Sequence, residues 1–304
     1  MKSYLKNIIR VVKLTFTEFF KANPLNYAAI IGFYTIFSLP GILLIIINIA
    51  GYAWGEEAVQ GELANQIDET LGRQTAIQVQ NVLENAVQSE ATEFATFVGL
   101  ATLLFSATTV FIAMQDSLNS LWHIRPKPST GLVKLIKDRV LSFAMVISLG
   151  FLLLVSLTVN VAVVALQNFI RDLLEEFTVY LVNTINIIIS LGVTALIFGL
   201  IYKVLPDAKV RWKDIWVGAL ITTFLFVLGK FLIGLYLSES ELDTTYGAAG
   251  ALVLLLVWVY YSSTIMLLGA QFTWAYATEL GNGVKPTKEA MEVEIKEVSK
   301  ENKP

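Results

Sequence analysis

Lys230 stands inside an apolar run, 215–237, that contains no other charged residue. A cation at that depth either snorkels to the head groups or faces other helices and holds an anion. The run leaves it about seven residues, or ~10 Å, from the nearer end at ~1.5 Å per residue. Outer-half amides, or Glu93, Glu239 and Glu241, are its candidate partners, and Gly229 and Gly234 leave space for a close helix or an open cavity. Asn48, Asn160, Asn183 and Asn186 occupy similar apolar runs, and Asn183 and Asn186, three apart, share one helix face. Such amides either hydrogen-bond between helices or line a polar outward cavity. Asp116 sits about one turn from the end of its run, with Arg125 or Arg139 as expected partners, as a structural ion pair or a coupling carboxylate. Pro40 removes a mid-run hydrogen bond and predicts a kink or break around 38–41, which is either plain structure or the mark of a binding site. Gly247 and Ala251 form a small-xxx-small pair for close helix approach. This chemistry is hydrogen bonding and anion attraction. With no cysteine and one histidine, His123, thiolate and His-cluster metal sites are excluded, and no metal or cofactor is expected. His123, beside Trp122, reads as an interfacial residue.

The elements that position these residues follow from composition. The 304 residues are 55% hydrophobic and 15% charged, with a mean hydropathy of +0.64. The apolar residues are gathered in runs at 27–53, 94–118, 140–165, 180–203, 215–237 and 247–278. Each is long enough to cross a bilayer. A lone strand in lipid would leave its backbone unpaired, so the runs are expected to be helices. The expected fold is all-α: a polytopic membrane protein with six transmembrane helices. Of the 22 Lys and Arg, nineteen fall in the N-terminal segment, the second and fourth loops and the tail. Arg73 and Arg171 are the exceptions outside the runs. The positive-inside bias makes both termini cytoplasmic.

Residues 1–26 carry Leu5, Ile8, Ile9, Val12, Phe16, Phe19 and Phe20 at helical spacing, with Lys6, Arg10, Lys13 and Lys21 elsewhere. This predicts an amphipathic helix, lying in the interface or packed under the bundle. The domain 27–278 follows, with an extracytoplasmic loop at 54–93 that reads as two short amphipathic helices, a structural cap or a lid. The segment 279–304 reads as a charged cytoplasmic tail, helical or irregular.

Ala28-Ala29, Phe33-Tyr34-Thr35 and Ser38-Leu39-Pro40 open a series of local patterns. Leu118-Asn119 with Trp122, Val204-Leu205-Pro206, Val210-Arg211-Trp212, Gly218 and Tyr236 follow. The series ends with Tyr246-Gly247-Ala248-Ala249-Gly250, Trp258-Val259-Tyr260-Tyr261 and Leu268-Gly269-Ala270-Gln271. In this order the patterns resemble the YihY/BrkB family of bacterial inner-membrane proteins. The resemblance implies six helices with both termini inside. Gln271 replaces the acid of the family's Gly-Ala-Glu pattern, which removes any proton coupling that would rest on a carboxylate there. Some members carry a ribonuclease label. No carboxylate cluster, paired histidines or metal-ligand spacing supports it here, and the basic loops follow the positive-inside bias without nucleic acid.

The expected function is therefore non-enzymatic. Other members of the family have been linked to envelope integrity and lipid movement, so the resemblance implies an envelope protein of the inner membrane that moves, or helps to move, a lipid or lipid-like anion, with membrane lipids and envelope proteins as partners. A structural scaffold is the alternative, distinguished by the absence of a lipid-accessible cavity. An intramembrane enzyme would need a nucleophile–base pair that these runs do not supply.

Overall fold

The computed structural model describes residues 2–71, 76–77, 79–80, 93–128, 131–171, 175–239 and 250–294. It is mostly helical. Helix α1 spans Lys2–Lys21, α2 Pro24–Trp54, α3 Glu56–Leu71, α4 Glu93–Leu121, α5 Gly131–Arg171, α6 Glu175–Val204, α7 Trp212–Glu239 and α8 Gly250–Glu279. Among the described residues, four stretches are long and apolar enough to cross a membrane: Pro24–Tyr52, Ile187–Val204, Trp212–Ile233 and Leu252–Glu279. They lie in α2, α6, α7 and α8, and the runs 94–118 and 140–165 fall within α4 and α5. The first loop supplies α3; most of its second expected helix lies outside the described residues. Pro40 does not break α2, which is helical from Pro24 to Trp54. Beside it, the Ser38 hydroxyl donates to the Ser106 carbonyl and the Ser106 hydroxyl to the Phe37 carbonyl, tying α2 to α4.

Helices α2, α5, α6, α7 and α8 pack in a ring, each on the next, and α8 closes it on α2. Helix α4 lies against α2 and α5, and α1 against α8. The main core gathers at one end. It takes Ala28 and Ile31 from the start of α2, Phe111 and Leu118 from the end of α4, and Met145 and Val146 from early α5. Phe198 and Tyr202 come from late α6, Ile215 and Ala219 from the start of α7, and Leu267 and Ala270 from late α8. A smaller cluster packs α3, through Val59 and Leu63, on the second half of α2.

Helices α7 and α8 cross closely because small residues let them. A Cβ on Gly218 would overlap Thr273, and one on Gly269 would overlap Thr222 and the Tyr202 hydroxyl. The buried Tyr202 hydroxyl donates to the Met266 carbonyl at 2.7 Å and lies 2.9 Å from Thr222 Oγ1, so α6, α7 and α8 meet at one atom. Trp122 Nε1 donates to the Ala270 carbonyl at 3.0 Å and ties the end of α4 to α8.

The segment after α8 corrects the expected loose tail. Lys285–Pro286 (β3) pairs antiparallel with Ala208–Lys209 (β2) between α6 and α7. Ala290–Glu292 (β4) pairs with Ile124–Pro126 (β1) between α4 and α5. Lys137 Nζ meets Glu289 at 2.7 Å, and Arg10 of α1 meets Glu279 at 3.2 Å. The clasp joins the described part of the tail to the loops after α4 and α6, so most of the described basic residues lie at this end.

Beneath the clasp, Lys134 Nζ contacts Asp207 at 2.7 Å and Asp138 at 3.1 Å. Asn119 donates to the Asp207 carboxylate at 2.9 Å and accepts from the Asp207 amide at 2.8 Å, while Gln115 donates to Asp138 at 3.2 Å. Burial pulls the Lys134 pKa down, but the hydrogen bonds and charges of Asp207 and Asp138 outweigh it, and the value is raised. A raised lysine pKa gives stability that is present at neutral pH and lost only as pH climbs past the folded value.

Helix α1 has two apolar faces with different surroundings. Val11, Thr15 and Phe19 are buried towards the bundle, whereas Ile9, Val12, Phe16 and Phe20 are exposed. At 100° per residue the exposed stripe has this buried sector on one flank and Lys6, Arg10, Lys13 and Lys21 on the other.

Two substitutions test this framework in SDS or thermal unfolding of the purified protein. Gly269→Val should destabilise it by about 1–3 kcal/mol through overpacking, and unchanged stability would refute the close crossing. Lys134→Met strands two carboxylates and should cost about 3–5 kcal/mol. Adding Asp207→Asn to Lys134→Met should recover part of that loss.

Candidate functional site

Away from the clasp, the described side chains of α6 and α7 are mostly exposed. Helix α7 shows three sectors there. Gly218, Thr222 and Gly229 face α8, with the Tyr261 side chain lying over Gly229. Leu220, Phe224, Val227 and Phe231, at i, i+4, i+7 and i+11, form an exposed apolar stripe. Ala219, Thr223, Phe226 and Lys230 form a third stripe with the same spacing. Its lower members face α6: Gly199 approaches Ala219, and the Phe198 and Phe226 rings lie 5.6 Å apart. Ala219 and Thr223 are buried, yet Lys230, on the same stripe, is exposed.

The cause lies in α6. Ile187, Ile188, Ser190, Leu191 and Gly192 are all exposed, and no described side chain from Thr184 to Gly192 is buried. Ile185 and Ile189, four apart, are half-buried, so among the described side chains this stretch of α6 keeps one partly covered flank and exposes the rest of its surface. Helices α6 and α7 thus meet at the clasped end and leave Lys230 uncovered further along. Lys230 makes no hydrogen bond or ion pair among the described residues. Gly229 serves close approach, since Tyr261 fills its space.

The other expected residues are dispersed. Asn48 is exposed on α2 and its amide donates to its own helix, to the Leu44 carbonyl at 2.7 Å. The side chains of Asn160, Asn183 and Asn186 lie outside the described residues, as does Gly247. Asp116 is exposed on α4, within electrostatic reach of Asp138, Lys134 and Asp207. Its expected partner Arg139 is instead committed to α4 at Phe105, Thr108 and Thr109. Gln271 is 0% exposed, and neither amide atom finds a hydrogen-bond partner among the described residues. His123 packs on Trp274, with ring centroids 5.4 Å apart, and its Nε2 lies 3.8 Å from Glu18. Among the described residues no three His, Asp or Glu side chains form a group able to hold a metal ion.

Sequence reasoning missed the Lys134–Asp138–Asp207 knot and the role of Arg139, because both cations belong to a loop whose charge is explained by orientation alone. The signal available was the depth of Asp138 and Arg139, a turn or two inside a long helix rather than in the loop.

The comparisons agree with a membrane setting. A UPF0761 membrane protein of Albidiferax ferrireducens is 27% identical over 190 residues, covering 62% of this chain and 43% of the relative. A UPF0761 membrane protein of Enterobacter sp. (strain 638) is 31% identical over 184 residues, covering 59% of this chain and 58% of the relative. One of Glaesserella parasuis is 27% identical over 176 residues, covering 58% and 59%. The chain spans about half the length of the curated relatives it matches. No solved structure matches it. The family model described as virulence factor BrkB matches residues 15–294, so this integral membrane protein belongs to the BrkB family.

Proposed function

We propose that the chain is a bacterial inner-membrane protein that crosses the bilayer six times with both termini in the cytoplasm. On this reading it moves, or helps to move, a lipid or lipid-like anion across or out of the membrane. The observation that carries it is Lys230, exposed on a helix stripe whose other members are buried or half-buried, beside a length of α6 whose described side chains are mostly exposed. An ammonium in an apolar surround attracts an anion, and the exposed aliphatic walls of α6 and α7 suit acyl chains. The clasped end, tied through Tyr202 and the Lys134 knot, is the closed side. The sequence has no nucleotide-binding loop, so movement would run on a gradient, on downhill flow or on a partner protein.

Two measurements test the reading. Tags at residues 1 and 304 should both report the cytoplasm, and cysteines introduced at positions 56–68 should react with an impermeant reagent from outside. A periplasmic C-terminus would remove the six-span topology. In liposomes holding a fluorescent anionic phospholipid, Lys230→Met should fold normally and lower the rate of lipid movement by about tenfold or more, the cost of one lost charged contact. Full activity in that variant would dismiss Lys230 as the recognition element.

A further inference from the structure

Arg139 lies outside the Lys134 knot. Its neighbour Asp138 meets Gln115 of α4 at 3.2 Å. Arg139, one residue on, reaches much further along α4: its Nη1 donates to the Phe105 carbonyl at 3.0 Å, Thr108 Oγ1 at 2.6 Å and Thr109 Oγ1 at 3.2 Å. These acceptors lie six to ten residues from Gln115, roughly 9–15 Å along the helix. The guanidinium therefore points away from the clasped end, into the apolar part of α4, and lies 3.9 Å from the centre of the Phe105 ring.

All three described hydrogen bonds are made by one nitrogen. The Nε–H and the two Nη2–H donors have no acceptor among the described residues, and no carboxylate lies within ion-pair distance. Three neutral oxygens do not balance a full charge in an apolar surround. The unspent donors have the fork geometry that matches two oxygens of a phosphate or carboxylate. Arg139 sits at the border of the packed face of α5, with Ile136, Val140 and Phe143 exposed on one side and Phe105 exposed on α4. The ligand must therefore bring an anionic oxygen pair together with apolar chains that cover these residues.

We propose that Arg139, seated on Phe105, Thr108 and Thr109, binds the phosphate of an anionic membrane lipid in the groove between α4 and α5. The site rests on the membrane placement of α4 and α5 proposed above but is independent of lipid movement and of Lys230. Phosphatidylglycerol, diacylglycerol and sodium phosphate are titrated in turn into the full chain in dodecyl maltoside micelles, and the unfolding temperature is followed. Phosphatidylglycerol should raise it saturably. Arg139→Gln should weaken that binding at least about tenfold, Arg139→Lys less, and Arg125→Gln, the loss of an exposed charge in the same loop, should leave it intact. Wild-type affinity in Arg139→Gln would overturn the site. An equal response to diacylglycerol would overturn phosphate recognition, and an equal response to sodium phosphate would overturn the lipid assignment. Should Arg139→Gln fail to fold, a photoreactive phosphatidylglycerol on the wild-type protein decides: adducts within 102–109 or 136–147 support the groove, and adducts confined elsewhere refute it. Tags that displaced α4 or α5 from the membrane would sink the topology, whereas a lost lipid response with correct tags would sink this site alone.

Discussion

Hydrocarbon offers an apolar side chain as good a surround as another helix does, so burial of leucine and phenylalanine does not by itself hold lipid-bathed helices together. Close backbone approach and hydrogen bonds must do it. In this chain those devices are unevenly spread. The Gly218–Thr273 and Gly269–Thr222 contacts, the Tyr202 hydroxyl, the Trp122–Ala270 bond and the Lys134–Asp207 pair all belong to one end. The main apolar core is the space these contacts enclose. At the other end the described residues show the Tyr261–Gly229 contact and the α3 cluster on α2.

The helices were legible because crossing a bilayer imposes length and apolarity, and each expected run lies within one helix, save 247–249, which fall outside the described residues. The glycines were legible too, although Gly229 signalled contact rather than space. The clasp was not. Strands of two and three residues contain no alternation to read, and their partners are loops more than 70 residues away. The Asp116 pairing failed for a different reason. Sequence proximity placed Arg139 beside it, but an arginine side chain reaches far enough to choose its own level, and the hydroxyls of Thr108 and Thr109 lay within that reach. Lys230 stands out in the sequence because a lone cation in an apolar run is conspicuous. Arg139 and Lys134 were hidden by their basic neighbours.

Gln271 shows what the framework tolerates. Its amide is wholly enclosed and unpaired among the described residues, a burden of about 1–3 kcal/mol for each unmet group. It sits one residue from the Trp122 acceptor Ala270 and two from Gly269, inside the tightest part of the structure. A carboxylate there would have to remain neutral or find a cation, and the nearest buried cation described, Lys134, is already shared by Asp138 and Asp207. Glutamine keeps the shape without that electrostatic demand.

The same economy of polar ties explains the N-terminal helix. Thr15 back-bonds to the Val11 carbonyl and so can be buried against α8 without an external partner. Arg10 reaches Glu279, and Glu18 is shared between Lys21 and the edge of the His123 ring. These links orient α1 so that Ile9, Val12, Phe16 and Phe20 all turn outwards together. A helix fixed in that way presents apolar side chains on one face and Lys6 and Lys13 at its border, the pattern of a segment lying between acyl chains and anionic head groups. It places a basic edge at the clasped end, where Arg139 also enters the apolar layer on the other side of α2. The α1 edge and the clasp thus gather the described basic residues at the end where the main core lies, while Lys230 stands apart from them on α7.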